Sequence, residues 1–141
     1  MTGRLEGKVA LVTGGRGGIG RAICDRFARE RAVVFAADLS AEGSIGAADG
    51  TSDSQFVKLD VTNEDSVKSA FAAVAAAHRR LDILVNAAGI EIEKTIEETS
   101  LEDWNRIFAI NVTGTFLTSK YALPLLRQSA GASVILSLIH I

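Results

Sequence analysis

The chain has 141 residues, 48% of them hydrophobic and 23% charged, with a formal net charge of −2. That length supports one domain with a substantial core, and the composition excludes wholesale disorder. The near-neutral charge gives no electrostatic basis for binding nucleic acid or an anionic membrane, and one cysteine, Cys24, excludes a disulfide framework or a multi-cysteine metal site. His78 and His140 have no neighbouring ligands, so no metal site is expected. The longest wholly apolar run, Ala70–Ala77, falls far short of the roughly 18 residues a membrane span requires. No hydrophobic leader precedes the first glycines, and a reducing, cytoplasmic setting is expected.

Short apolar runs alternate with helical stretches. Lys8–Thr13 (KVALVT) is a β-rich run ending in glycines, which predicts a buried strand. Ile19, Ile23 and Phe27 follow at spacings of four, the apolar stripe of an amphipathic helix. Val33–Ala37 predicts a second strand ending at Asp38, and residues 39–53 are small and polar, compatible with no more than a short helix. Gln55–Asp60 predicts a third strand. Thr62 and Asp65 form a capping-box pair ahead of a helix carrying Val67, Phe71 and Val74. Leu81–Asn86 predicts a fourth strand. Ser100 and Asp103 repeat the capping signal before a long helix with Leu101, Trp104, Phe108, Val112 and Phe116 on one stripe, which Pro124 is expected to kink or end. A fifth strand begins at Ser133.

Strands joined by helical crossovers imply parallel β-α-β units, hence an open α/β sheet with helices on both faces. Ligands bind such sheets beyond the carboxyl ends of the strands, which directs attention to residues 13–20, 38, 60–61 and 86–90. Five of the thirteen glycines lie between positions 14 and 20, in TGGRGGIG. Glycines let the backbone turn and approach a phosphate without Cβ interference, and the helix that follows offers unpaired N–H groups to a pyrophosphate. Asp38 is placed to accept the hydroxyls of an adenosine ribose and to repel a 2′-phosphate, which favours NAD over NADP. Arg16 is the counterweight, able to reach a 2′-phosphate or to neutralise a pyrophosphate. Asp60 has two readings, an acceptor for the adenine amine or a turn beside Thr62. Asn111 lies in the apolar stripe of the long helix, where a buried amide needs partners. Cys24 is read as a small apolar packer and His78 as a helix-end residue.

Together these residues resemble the short-chain dehydrogenase/reductase family over residues 5–136. TGGRGGIG matches its TGxxxGxG loop at Thr13, Gly14, Gly18 and Gly20; Asp38 matches the NAD-selecting acidic position; LDVTN places Asp60 and Val61 at the adenine. Asn86-Ala87-Ala88-Gly89 is similar to the family's NNAG, with Ala87 replacing an asparagine. Asn111 in NVTGTF matches the asparagine that the family uses to hold a water in its proton relay. The resemblance implies a Rossmann-like open parallel sheet of order 3-2-1-4-5, truncated before its last strands. It also implies hydride transfer between NAD and the carbonyl or secondary-alcohol carbon of a small substrate, and a homo-oligomer for the full-length form. The implied cofactor contacts are Gly14, Arg16, Gly17, Gly18, Ile19, Gly20, Asp38, Leu39, Asp60, Val61, Asn86, Ala87, Ala88 and Gly89, with Asn111 in the catalytic group.

The family's other catalytic residues are not matched. The only tyrosine, Tyr121, is followed four positions later by Leu125, so there is no YxxxK. Aligning SVIL on the family's fifth strand puts the serine position at Ile139, with Ser137 two residues early. Residues 1–136 are therefore read as an incomplete dinucleotide-binding domain and 137–141 as an atypical tail, inactive alone; the alternative is a nucleotide-binding module without chemistry. Arg31 stands where the family places a glycine. With that strand order the uncharged fifth strand becomes an exposed edge, Trp104 or Phe108 is left uncovered, and an association-prone chain is expected.

Overall fold

The computed structural model describes residues 3–40 and 54–137, and in it the apolar runs become five strands: β1 (Val9–Thr13), β2 (Val33–Asp38), β3 (Ser54–Lys58), β4 (Ile83–Asn86) and β5 (Ser133–Leu136). They form one parallel sheet in the order β3-β2-β1-β4-β5, the order the resemblance implies. Three strands are shorter than the sequence suggests, β1 only by its first residue, Lys8. β3 stops at Lys58, because the Asp60 carboxylate turns the chain by accepting from the Thr62 N–H and hydroxyl. β4 starts at Ile83, since the Leu81 N–H is taken by the Leu125 carbonyl. Most of the stretch 39–53 and the end of the tail, 138–141, lie outside the described residues.

Side chains alternate across the sheet. Val9, Leu11, Phe35 and Leu84 face one side and Ala10, Val12, Val34, Ala36 and Val85 the other. Helix α1 (Gly18–Arg29) lies against the second side with Gly20, Cys24 and Ala28. The predicted stripe is thus shifted: small residues let the helix approach the sheet, Ile23 and Phe27 flank the contact, and Ile19 is exposed. The chain leaves α1 through Arg31 at φ 65°, a left-handed turn that disfavours any side chain.

Helix α2 (Glu64–His78) buries Val67, Phe71 and Val74 as expected, but its cap is Asn63, whose side chain accepts from the Ser66 N–H. Thr62 lies one residue before that cap, where its hydroxyl donates to Asp60 at 2.6 Å. Helix α3 (Leu101–Phe108) opens with the expected capping box of Ser100 and Asp103. A π-helical turn, Ala109–Thr113, then leads into α4 (Gly114–Leu126). Pro124 lies inside α4, which ends two residues after it at Leu126, and an irregular turn falls earlier, around Asn111. Leu117, Ala122, Leu125 and Leu126 pack on the first side of the sheet, whereas Leu101, Trp104, Phe108, Val112 and Phe116 all face solvent.

At the amino ends of the strands, the buried Asp82 carboxylate joins three parts of the chain. It accepts from the Val9 N–H at 2.9 Å, Arg80 Nε at 3.1 Å and the Ser129 hydroxyl at 2.7 Å, with Lys8 Nζ at 3.7 Å. At the opposite edge of the sheet from β3, β5 leaves Val134, Ile135 and Leu136 exposed, as the strand order leads one to expect.

Candidate functional site

The strand registers place Thr13, Ala37 and Asn86 side by side, so the carboxyl ends of β1, β2 and β4 open onto one rim. Above that rim lies a hollow of about 380 Å3. Its floor is backbone. Gly14 takes φ 63°, and a Cβ there would stand 2.9 Å from the Ala88 Cα; a Cβ on Gly20 would stand 2.1 Å from the Gly14 carbonyl oxygen. Side chains are therefore excluded where β1 turns into α1. The turn is locked by the Gly15 N–H on the Ala37 carbonyl and the Gly17 N–H on the Gly14 carbonyl. Thr13, almost wholly buried, accepts from both the Ala87 and Ala88 N–H groups and so ties the two loops together.

Helix α1 begins at this hollow with no side-chain cap and no acidic residue in its first turn. Its N-terminus keeps the positive end of the dipole unopposed. On the β2 side Asp38 lines the hollow. Its Oδ2 accepts from the Arg16 N–H at 3.0 Å and its Oδ1 from the Leu39 N–H at 2.8 Å. A carboxylate has about four acceptor positions, so this arrangement fixes the group and leaves capacity toward the hollow. The Arg16 guanidinium lies over the Phe56 ring, 5.7 Å from its centre.

Of the residues singled out in the sequence, Gly14, Gly17, Asp38, Leu39, Asp60, Val61, Ala87, Ala88 and Gly89 line this hollow. Arg16, Gly18, Ile19 and Gly20 shape or flank the turn without forming its wall. Asp60 lines the wall and makes the turn with Thr62, so both of its sequence readings describe part of its position. Leu59, Thr62, Ile90 and Ile110 complete the lining. Ile90 ends the stretch 86–90 to which the strand ends directed attention, and Thr62 was read only as a turn or cap residue, whereas Leu59 and Ile110 carried no signal in the sequence.

A second hollow of about 250 Å3 shares Ala88 and Gly89 with the first and is closed by Asn86, Asn111, Val112, Thr115, Leu136 and Ser137. Asn86 turns toward α4, accepting from the Thr118 hydroxyl at 2.6 Å and donating to the Ser119 hydroxyl. Asn111 holds the loop after β4 with both ends of its amide: Oδ1 accepts from the Ile90 N–H at 2.9 Å and Nδ2 donates to the Ile90 carbonyl at 3.0 Å. Its partners are thus backbone, and the π turn places it opposite Ile90. Burial, reinforced by neighbouring Asp25, pushes the Cys24 thiol up to about 12, which makes it unreactive. Outside the rim, Glu64 accepts from Tyr121 and Lys120, which lowers its pKa, and this cluster pins α2 to α4. Among the described residues no group of three or more His, Cys, Asp or Glu is arranged to hold a metal. No helix there is long and apolar enough to cross a membrane.

Comparison with known proteins bears on the same stretch. The family model for short chain dehydrogenase matches residues 8–137. The chain is 44% identical over 141 residues to 2,5-dichloro-2,5-cyclohexadiene-1,4-diol dehydrogenase LinX of Sphingobium indicum, covering 96% of this chain and 56% of that protein. It is 42% identical over 137 residues to D-threitol dehydrogenase of Mycolicibacterium smegmatis, covering 94% of this chain and 52% of that one. The crystal structure of a putative short-chain dehydrogenase/reductase from Burkholderia xenovorans superposes with a TM-score of 0.87 at 36% identity, over 95% of this chain and 54% of the other. The chain thus spans about half the length of these relatives. With the family model covering nearly every residue from β1 to β5, and the glycine turn, Asp38 and the Asn86–Gly89 loop meeting at one rim, the chain belongs to the short-chain dehydrogenase family.

Proposed function

We propose that the larger hollow receives the adenosine and pyrophosphate portion of NAD, and that the chain forms the cofactor-binding half of an NAD-dependent dehydrogenase. The observation that carries this reading is Asp38: a carboxylate fixed by two backbone N–H groups at the hollow's edge, in reach of the glycine turn. Such a group accepts from ribose hydroxyls and repels a 2′-phosphate. The uncapped start of α1 suits the pyrophosphate, and Gly14 and Gly20 leave room for it. Asp60, Val61 and Leu39 form the walls against which the adenine would lie. Bound NAD supplies the hydride-transfer chemistry, in this family between nicotinamide and an alcohol or carbonyl carbon.

The substrate of such an enzyme is a small alcohol or ketone, in keeping with the diol, threitol and cyclopentanol named for its relatives. Asn111, held against Ile90, is the one position matched to the family's catalytic group. The chain has neither YxxxK nor a serine at the position aligned with Ile139, so binding without turnover is expected of these 141 residues. Calorimetric titration tests the reading. NAD should bind at least about 10-fold more tightly than NADP, a difference of about 1.4 kcal/mol, and Asp38→Ala should erase that preference. Equal affinity for the two dinucleotides, or indifference to both, would overturn it.

A further inference from the structure

The first residue of α4 meets the wall of the larger hollow, and it does so without a side chain. Gly114 is buried and has ordinary helical angles, φ −60° and ψ −46°, so its backbone conformation would accept a side chain. Its surroundings would not. A Cβ at Gly114 would stand 2.7 Å from the Val61 Cγ2 and 2.9 Å from the Val61 Cβ. Turning the Val61 side chain moves the first of these atoms but not the second, because Cβ is bonded to the main chain. In a close-packed interior, room for a methyl group at Gly114 can come only from a shift of the Val61 backbone or of the helix.

Both sides of this contact are held. One turn before Gly114, Ile110 lines the same hollow, and Asn111 grips the Ile90 N–H and carbonyl, so the start of the helix is tied to the loop after β4. On the other side, the Asp60 N–H donates to the Ser66 hydroxyl at 2.9 Å and the Leu59 N–H to the Asp38 carbonyl at 2.8 Å. Residues 59–62 form a continuous part of the wall. We propose that Gly114 is a positioning residue for the cofactor site. By letting α4 come up against Val61, it sets where the 59–62 wall stands and so the space left for the adenine. The inference rests on the larger hollow being the NAD site. Gly114 touches no cofactor atom in this account and acts through Val61 alone.

Calorimetric titration of the 141-residue chain with NAD, and with AMP as the adenosine half alone, provides the test. Gly114→Ala should weaken both ligands by about 10-fold, although alanine is the better helix former. Val61→Gly should also weaken both, since it removes part of the wall. Combined, the two substitutions should cost less than the product of their separate losses, because Val61→Gly removes both atoms that meet the new methyl group. In the ligand-free chain, the amide resonances of Asp60, Val61 and Thr62 should move with Gly114→Ala. If Gly114→Ala does not fold, recovery of folding and of AMP binding in the double variant supports the same coupling, and a double variant that also fails refutes it. Parent-like affinity in a folded Gly114→Ala chain, losses that simply multiply in the double variant, or a loss seen with NAD but not with AMP would overturn the proposal and leave the NAD reading in place. A parent chain that binds neither ligand would overturn that reading, and this inference with it.

Discussion

Gly14 and Gly18 belong to the same glycine-rich turn yet meet different physical demands. Gly14 has a left-handed backbone and the Ala88 backbone within 3.0 Å of any added Cβ. The conformation alone costs a side chain about 1–2 kcal/mol, and the contact adds to it. Gly18 is the first helical residue, with open space where a Cβ would go. Gly14→Ala should therefore lower the unfolding free energy by about 2 kcal/mol or more, whereas Gly18→Ala should leave it unchanged or raise it by up to about 1 kcal/mol. Chemical denaturation of the two variants side by side checks this, and equal effects would show that the turn is not under steric constraint. The spacing TGGRGGIG identified the turn, but not which glycines are obligatory. That distinction depends on Ala88, which lies more than seventy residues away in the chain.

At the scale of elements, the long helix shows where sequence reading ends. The Ser100 and Asp103 capping box, a local arrangement, was legible and is present. The π turn was not, because it depends on Asn111 finding both hydrogen-bonding groups of Ile90 across a gap of 21 residues. Replacing Asn111 with alanine strands the Ile90 N–H and carbonyl in a partly buried place, at a cost of about 1–3 kcal/mol. Hydrogen exchange should then be faster at Ile90 and its neighbours, with β1 and β2 unchanged. Protection at Ile90 equal to that of the parent would remove the clamp from the account. Thr62 and Asn63 show the same limit: the local signal named Thr62 as the cap, but the helix begins at Glu64 and Asn63 caps it, while Thr62 joins the turn at Asp60.

Across the whole molecule, the all-parallel order and the two-sided core were legible because the alternation of apolar runs with helices admits few other topologies. Asp82 was not singled out, since one carboxylate within an apolar run gives no sign of four partners, three of them from distant positions. Burial raises its pKa, but the Ser129 hydroxyl, the Val9 N–H and Arg80 outweigh that and hold the carboxyl below its ordinary value. A group depressed in the folded state stabilises the fold above its unfolded pKa of about 3.9 and loses that contribution as pH falls through the lower folded value. Stability should accordingly be flat around neutrality and fall steeply below about pH 4. Asp82→Asn should cost about 2–4 kcal/mol at neutral pH and make the acid limb shallower. Thermal melts across that range decide the matter, since an acid limb of unchanged steepness in the variant would place the sensitive group elsewhere.

All five strands run the same way, so the glycine-lined rim and the Asp82 knot sit at opposite poles, separated by the length of the sheet. Under the proposed function, recognition and anchorage are thereby kept apart. Side chains such as Leu39 and Ile90 could then be exchanged at the mouth while the knot holds the strands together from below. A scaffold of this kind is well suited to diversification, because new specificities can be explored at one end without loosening the other.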